Sequence, residues 1–161
     1  SMLGIDDIDE TGKTFEENAI IKVKNVPKGF IGLSDDSGLC IKSLNRKPGI
    51  YSARFAQKNG GWLKAMEKLY FEAQKKDCFV ATFHCTLALK SKSSKISIFT
   101  GKVDGKITWP PKGKNGFGYD PFFIPSNSNK TFGQMPHVKK IFLDHRFKAF
   151  KKMSKFHLTD N

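Results

Sequence analysis

Three short segments carry side chains whose types and spacing can do chemistry. Asp35-Asp36-Ser37-Gly38 sets two carboxylates beside a hydroxyl and a glycine. Adjacent carboxylates at a strand end can hold Mg²⁺ and polarise a water, although Asp, Ser and Gly are also the common residues of a plain turn. Residues 113–121 read Gly-Lys-Asn-Gly-Phe-Gly-Tyr-Asp-Pro. This is neither a phosphate loop nor a dinucleotide fingerprint, because no strand-to-helix context surrounds it. Glycines on both sides of Phe117 would let a flat ligand approach the backbone and stack on the ring; a tight surface loop around a buried aromatic accounts for the same residues. Asp144-His145-Arg146 heads the last amphipathic stretch. Asp144 is a good N-cap, and His145 and Arg146 in the first turn either aim donors outward or belong to a solvated, capped helix start.

The elements that must position these groups follow from hydrophobic period and turn chemistry. Thr14-Phe15-Glu16-Glu17 has capping-box spacing, and Phe15, Ala19, Ile20 and Val23 then recur at helical intervals, predicting a helix over about residues 14–25. Asn18 and Lys22, four apart, share its polar face. A short strand is expected from Phe30 to Leu33, a turn at Ser34–Gly38 and a second strand from Leu39 to about Leu44, with Pro48-Gly49 marking another turn. Trp62, Leu63, Met66, Leu69, Tyr70 and Ala73 predict a helix over about residues 61–75. The longest strand signal runs from Cys78 to Leu89, with Phe79, Ala81, Phe83, Cys85, Leu87 and Leu89 on one face. Ser91–Ser94 is a polar turn into a strand at Ile96–Phe99, and Asp104-Gly105 is a hairpin signal before Ile107. Residues 110–137, rich in Pro and Gly, read as ordered loop, and a last helix spans about residues 145–156. The pattern is mixed α/β with antiparallel hairpins.

Length and composition bound the function. The chain has 161 residues, 39% hydrophobic and 27% charged, which suits one folded domain spanning 1–161. No apolar run approaches the ~20 residues that a bilayer span needs. Three cysteines in no CxxC arrangement indicate neither a disulfide framework nor a zinc knuckle, and the acidic Ser1–Asp7 start lacks a signal-peptide layout; a reducing cytoplasm is expected. The net charge is +13, divided unevenly: residues 1–40 carry −4 and residues 41–161 carry +17. An acidic front and a basic remainder suit a cleft with a metal on carboxylates and a polyanion on lysines, and equally suit solvated lysine-rich faces.

Taken in order, Glu10-Thr11-Gly12, DDSG, PGIYSAR (Pro48–Arg54), FHC, GFGYDPFF, KTF and DHR closely resemble the Ham1-like inosine/xanthosine triphosphate pyrophosphatases, from about Leu3 to the end. That resemblance implies an elongated mixed sheet with flanking helices, two lobes around an active-site cleft, and a homodimer. It implies cleavage of ITP, dITP and XTP between the α and β phosphates with Mg²⁺, giving monophosphate and pyrophosphate. By position, Asp36 matches the catalytic acidic residue that activates water, and Glu10 with Asp36 the magnesium carboxylates. Lys22 matches a phosphate-side lysine and Ser37 a substrate contact. Phe117, Gly118, Tyr119 and Asp120 match the base-binding loop, Lys140 a purine-side lysine, and His145 with Arg146 the pair that reads the base. Donors aimed at a 6-oxo purine would leave adenine's amino group unpaired, which is costly in a dry site.

The chain departs from the family pattern in three places. Asp144 stands where relatives have Ser, and Gln134 where they have Glu. The family's leading strand and its Thr/Ser-x-Asn-x-x-Lys helix, which grips the triphosphate, has no counterpart in residues 1–9, so hydrolysis is expected to be slowed. A non-catalytic remnant that keeps purine binding is the alternative reading. A basic nucleic-acid-binding module ranks last, because the longest strand alternates toward an apolar core, and no specific nucleic acid is expected as a partner.

Overall fold

A computed structural model of the chain describes residues 8–159, with side chains through residue 156; residues 1–7, on which the signal-peptide reading rests, lie outside them. Helix α1 (Phe15–Lys24) starts at Thr14, whose side chain accepts a hydrogen bond from the Glu17 N–H. Glu16 and Glu17 sit in its first turn and Lys22 and Lys24 in its last, as the helix dipole favours. Strands β1 (Gly32–Ile41), β2 (Val80–Lys90), β3 (Ile96–Ile107) and β4 (Phe123–Pro125) form one sheet in that order, and each pairing among the described residues is antiparallel. Helices α2 (Ser52–Lys58) and α3 (Trp62–Gln74) connect β1 to β2, and α4 (His137–Lys140) and α5 (His145–Thr159) follow β4. The α/β class with antiparallel hairpins is the one the patterning predicts.

Two local expectations are corrected. Residues 34–38 are not a turn between two strands: β1 runs through them, in unbroken register with β2 from Gly32 opposite Lys90 to Ile41 opposite Ala81. The glycine that suggested a turn serves a close approach, since a Cβ on Gly38 would stand 2.1 Å from the Gly49 carbonyl oxygen. Asp104-Gly105 likewise marks no hairpin, because β3 continues through it. A Cβ on Gly105 would stand 2.2 Å from the carbonyl oxygen of Ile124 in β4. The hairpin joining β2 to β3 is the Ser91–Ser94 turn, closed by the Ser91 N–H on the Lys95 carbonyl at 2.9 Å.

Strand β2 is covered on both faces. On one face Ala81 and Phe83 join Leu39, Ile41, Leu69, Phe122, Phe123 and Phe132 in the main core, and further along Cys85 and Leu87 lie under Ala149 and Met153 of α5. Burying a phenylalanine fully contributes about 1.5–3 kcal/mol, so Phe122, Phe123 and Phe132, all completely buried, anchor the 110–137 loop as ordered structure. The other face lies under α1, with Ala88 against Ala19 and Val23 and His84 stacked on Phe15 at 4.4 Å. On this face Lys90 Nζ donates to the Val26 and Pro27 carbonyls at 2.8 and 3.0 Å, while the buried Nδ1 of His84 has no hydrogen-bond partner among the described residues. Beside β2, α1 also packs on β1, and α5 reaches β1 through Arg146. The strand's period of two sends Asp36 to the α1 side and Asp35 and Ser37 to the α5 side.

Candidate active site

Asp36 is nearly buried, and α1 supplies its partners. Lys22 Nζ donates to Asp36 Oδ1 at 3.0 Å and to Glu10 Oε1 at 2.8 Å, while Asn18 Nδ2 donates to Asp36 Oδ2 at 3.2 Å. Asn18 also accepts from the Gly12 N–H at 2.9 Å, which ties the Glu10-Thr11-Gly12 segment to α1. Arg54 of α2 closes the far side with 2.9 Å bonds to Glu10 Oε2 and to the Glu10 carbonyl. Burial raises the pKa of Asp36 and outweighs the bonds from Lys22 and Asn18, and the Glu10 charge adds to the rise. At Glu10 burial also pushes upward, but Lys22 and Arg54 win and hold its carboxyl below the ordinary value. Lys22 loses some charge stability to burial, and its two carboxylate partners more than restore it, raising its pKa.

This donor set fits a magnesium ion of the kind held by one or two carboxylates together with substrate phosphates. Glu10 and Asp36 already converge, each with an oxygen within 3.0 Å of one cationic nitrogen. Among the described residues no cluster of three or more Asp, Glu, His or Cys side chains is arranged around a metal position. Asp35, on the other face, does not join Asp36, so the two adjacent carboxylates of DDSG act in separate places.

The base-loop residues lie across a cavity of about 250 Å³. Phe117 is 76% exposed, which decides against the alternative of a buried aromatic and leaves a ring face open to a ligand. Trp62, the first residue of α3, packs edge-on against Phe117 at 5.2 Å and against Tyr119 at 5.0 Å. Tyr119 is buried and donates to the Ser52 carbonyl at 3.2 Å; burial pushes its phenol well up. Asp120 Oδ2 accepts from the Phe117 N–H at 2.7 Å and pairs with Lys140 Nζ at 2.8 Å. The Asp144 side chain caps α5 through the Phe147 N–H at 2.8 Å, as Ser would, and its added charge faces Lys140 at 3.8 Å. Gln134 completes a capping box with Thr131, which a neutral amide does as well as a carboxylate.

His145 does not reach outward from the helix start as expected. It is buried, stacked parallel on Phe83 at 4.7 Å, and its Nδ1 has no hydrogen-bond partner among the described residues. Burial, with the Arg146 and Lys140 charges adding to it, pushes its pKa down from 6.5 to about 3, so the ring is neutral. Arg146 does point outward, donating to Asp35 Oδ2 at 2.6 Å and to Ser37 Oγ at 3.3 Å.

Ten of the eleven residues singled out from the sequence line this one cavity, and Glu10 joins it through Lys22. The sequence reading gave no role to Asn18, Arg54 or Trp62, and it paired Asp35 with Asp36 as a metal carboxylate, which the strand's two faces do not allow. Asn18 was signalled by its spacing from Lys22, and Arg54 by its place in PGIYSAR. Trp62 carried only a helical period, which a core tryptophan shares.

Comparison with known proteins bears on the family and the fold. The sequence model of the Ham1 family matches residues 1–156. The chain is 41% identical over 156 residues to the dITP/XTP pyrophosphatase of Halalkalibacterium halodurans, covering 94% of this chain and 80% of that one. It is likewise 40% identical over 154 residues to the dITP/XTP pyrophosphatase of Bacillus subtilis, covering 93% and 78%. Among solved structures, a HAM1 protein from Coxiella burnetii superposes with a TM-score of 0.90 at 37% identity, covering 99% of this chain and 84% of that one. The Staphylococcus aureus Ham1 protein gives 0.90 at 35% identity with the same coverage.

Proposed function

The chain belongs to the Ham1 family, and from that premise we propose that it is a nucleoside-triphosphate pyrophosphatase acting on ITP, dITP and XTP. The bond cleaved is the one between the α and β phosphates, with release of monophosphate and pyrophosphate. The observation that carries this reading is the meeting, in one cleft, of a Glu10–Lys22–Asp36 charge cluster with an open aromatic face and a buried, unsatisfied His145 nitrogen.

Phosphoryl-type transfer depends on positioning and charge neutralisation. Glu10 and Asp36 are the residues that would hold Mg²⁺, which when bound supplies positive charge to the phosphate oxygens. Asp36 orients the attacking water and takes its proton; burial makes its carboxylate a better base than an exposed aspartate. Lys22 offers its ammonium to the phosphate chain, and Ser37, on the opposite face of β1, lines the same cavity. Phe117 receives the purine ring on its exposed side. His145, neutral and locked against Phe83, presents one fixed ring nitrogen, and Arg146 presents donors only. A 6-oxo group accepts from those donors, whereas adenine's amino group would face them unpaired. Homodimerisation and a cytoplasmic location complete the proposal; three unpaired cysteines support a reducing compartment, and no helix among the described residues is long and apolar enough to cross a membrane.

The test is to incubate the protein with ITP, dITP, XTP, ATP and GTP in the presence and absence of Mg²⁺ and to measure pyrophosphate. Release from the first three, dependent on the metal and well above that from ATP, is expected. Tight ITP binding without pyrophosphate release would identify a non-catalytic purine-binding protein instead.

A further inference from the structure

Asp35 is the one carboxylate of the DDSG segment that the proposed chemistry leaves without a task. Its Oδ2 accepts two hydrogen bonds, from Arg146 at 2.6 Å and from Ser37 Oγ at 2.9 Å, and Arg146 reaches the same Ser37 oxygen at 3.3 Å. A single carboxylate oxygen therefore joins a side chain of β1 to one from the first turn of α5. Among the described residues, the one ion pair made by Arg146 is this one.

Stability does not account for the arrangement. The side chains of Asp35 and Arg146 are 41% and 59% exposed, and ion pairs that open to water contribute little to folding. What the contact does is remove freedom. An arginine carries five donors in a rigid fork on a long flexible stem, and unless something fixes that stem, the ordering cost falls on ligand binding. The pair points the fork into the cleft that also holds Phe117 and His145.

We propose that Asp35 is a positioning residue that holds Arg146 and Ser37 in register, so that the base-side and phosphate-side contacts meet the nucleotide already oriented. The proposal rests on the purine-nucleotide reading of this cleft and adds a residue to it. Asp35 acts through the two side chains it holds, Arg146 and Ser37.

A double-mutant cycle tests this. ITP binding without divalent ions is measured by calorimetry for the wild type, Asp35→Ala, Arg146→Ala and the double variant, and melting curves confirm that each is folded. Asp35→Ala is expected to weaken ITP about tenfold in the wild-type background, the scale of a charge-assisted hydrogen bond, and clearly less in the Arg146→Ala background, where only its bond to Ser37 is left to lose. Asp35→Asn, which keeps one acceptor oxygen, should recover part of the loss. Steady-state kinetics should show the change in KM with kcat held. Equal weakening in both backgrounds, unchanged affinity in Asp35→Ala, or a loss confined to kcat would each overturn the proposal. Wild-type pyrophosphate release, measured alongside, tests the hydrolase reading separately, because the binding cycle does not require turnover.

Discussion

Replacing Asp36 by Asn should separate activity from stability. The change keeps the side chain's shape and removes its charge. General-base action contributes about 10²- to 10⁴-fold to rate, equivalent to about 2.7–5.4 kcal/mol on the barrier, and the lost metal carboxylate adds to the deficit. The fold should hardly respond. Asp36 now accepts from both Lys22 and Asn18, and an amide has one acceptor oxygen for the two donors, so one hydrogen bond worth about 0.5–1.5 kcal/mol is lost. Against this, the folded state raises the pKa of Asp36. A raised carboxyl contributes stability at acid pH that is lost as pH rises through the folded value, so at neutral pH its ionised form works against folding. Removing the charge removes that cost. The two effects oppose each other, and the melting temperature should move by no more than about 4 °C, the scale of a 1 kcal/mol change for a chain of this size. Pyrophosphate release from ITP and thermal melts, run on the same preparations, give both numbers. A rate at half the wild-type value or more would refute the assignment of Asp36. A large fall in melting temperature would refute the balance argued here and make the residue structural.

Other perturbations divide the cleft by role. Phe117→Ala should weaken ITP and ATP alike by about 1–3 kcal/mol, the scale of base stacking on an aromatic ring, whereas Arg146→Ala should erode the preference for ITP; equal shifts from both variants would end that division. Nucleotide titration should quench the fluorescence of Trp62, which abuts Phe117, and the signal should vanish in Trp62→Phe but survive in Trp109→Phe. His145, held down to about 3 from 6.5, makes the unfolded chain the better proton binder between those values, so stability should fall as pH drops through that window. His145→Phe keeps a ring on Phe83 and should flatten that acid limb in urea melts at pH 7 and pH 4. Gly38→Ala should lower stability at every pH, because its Cβ would collide with the Gly49 carbonyl.

What the sequence made legible, and what it hid, divides along one physical line. Helices α1, α3 and α5 were readable because their signals are local: a cap, an apolar period and charges suited to the dipole within a few residues of each other. Strand β2 was readable by its alternation, although that alternation understated its burial, since the polar face lies under α1 with His84 and Lys90 both engaged. Strand β1 was hidden. Ser34-Asp35-Asp36-Ser37-Gly38 has the composition of a turn because local rules attribute polar side chains and glycine to chain reversal. Here every one of those residues answers to something distant. Ser34 donates to the Ala19 carbonyl, Asp36 accepts from α1, Asp35 and Ser37 meet α5, and Gly38 yields space to the Gly49 carbonyl.

The same distance dependence separates the candidate site into parts that motifs reveal and parts they do not. Residue types and order pointed to the carboxylates, the lysines and the base loop, but not to how they are oriented. Two neighbouring aspartates looked like one metal-binding pair. A strand's period of two puts them on opposite faces instead, where Asp36 works with Glu10 and Lys22 and Asp35 holds Arg146. His145 shows the same limit from the other side, since its burial depends on Phe83 of β2 and no pattern near residue 145 records that contact. The strand that looked like a turn is therefore the piece that organises the cleft. With α1 packed on it and Arg146 of α5 reaching it from the other side, it hands one carboxylate to each helix, and the phosphate-side and base-side chemistry are joined through three consecutive residues of one strand.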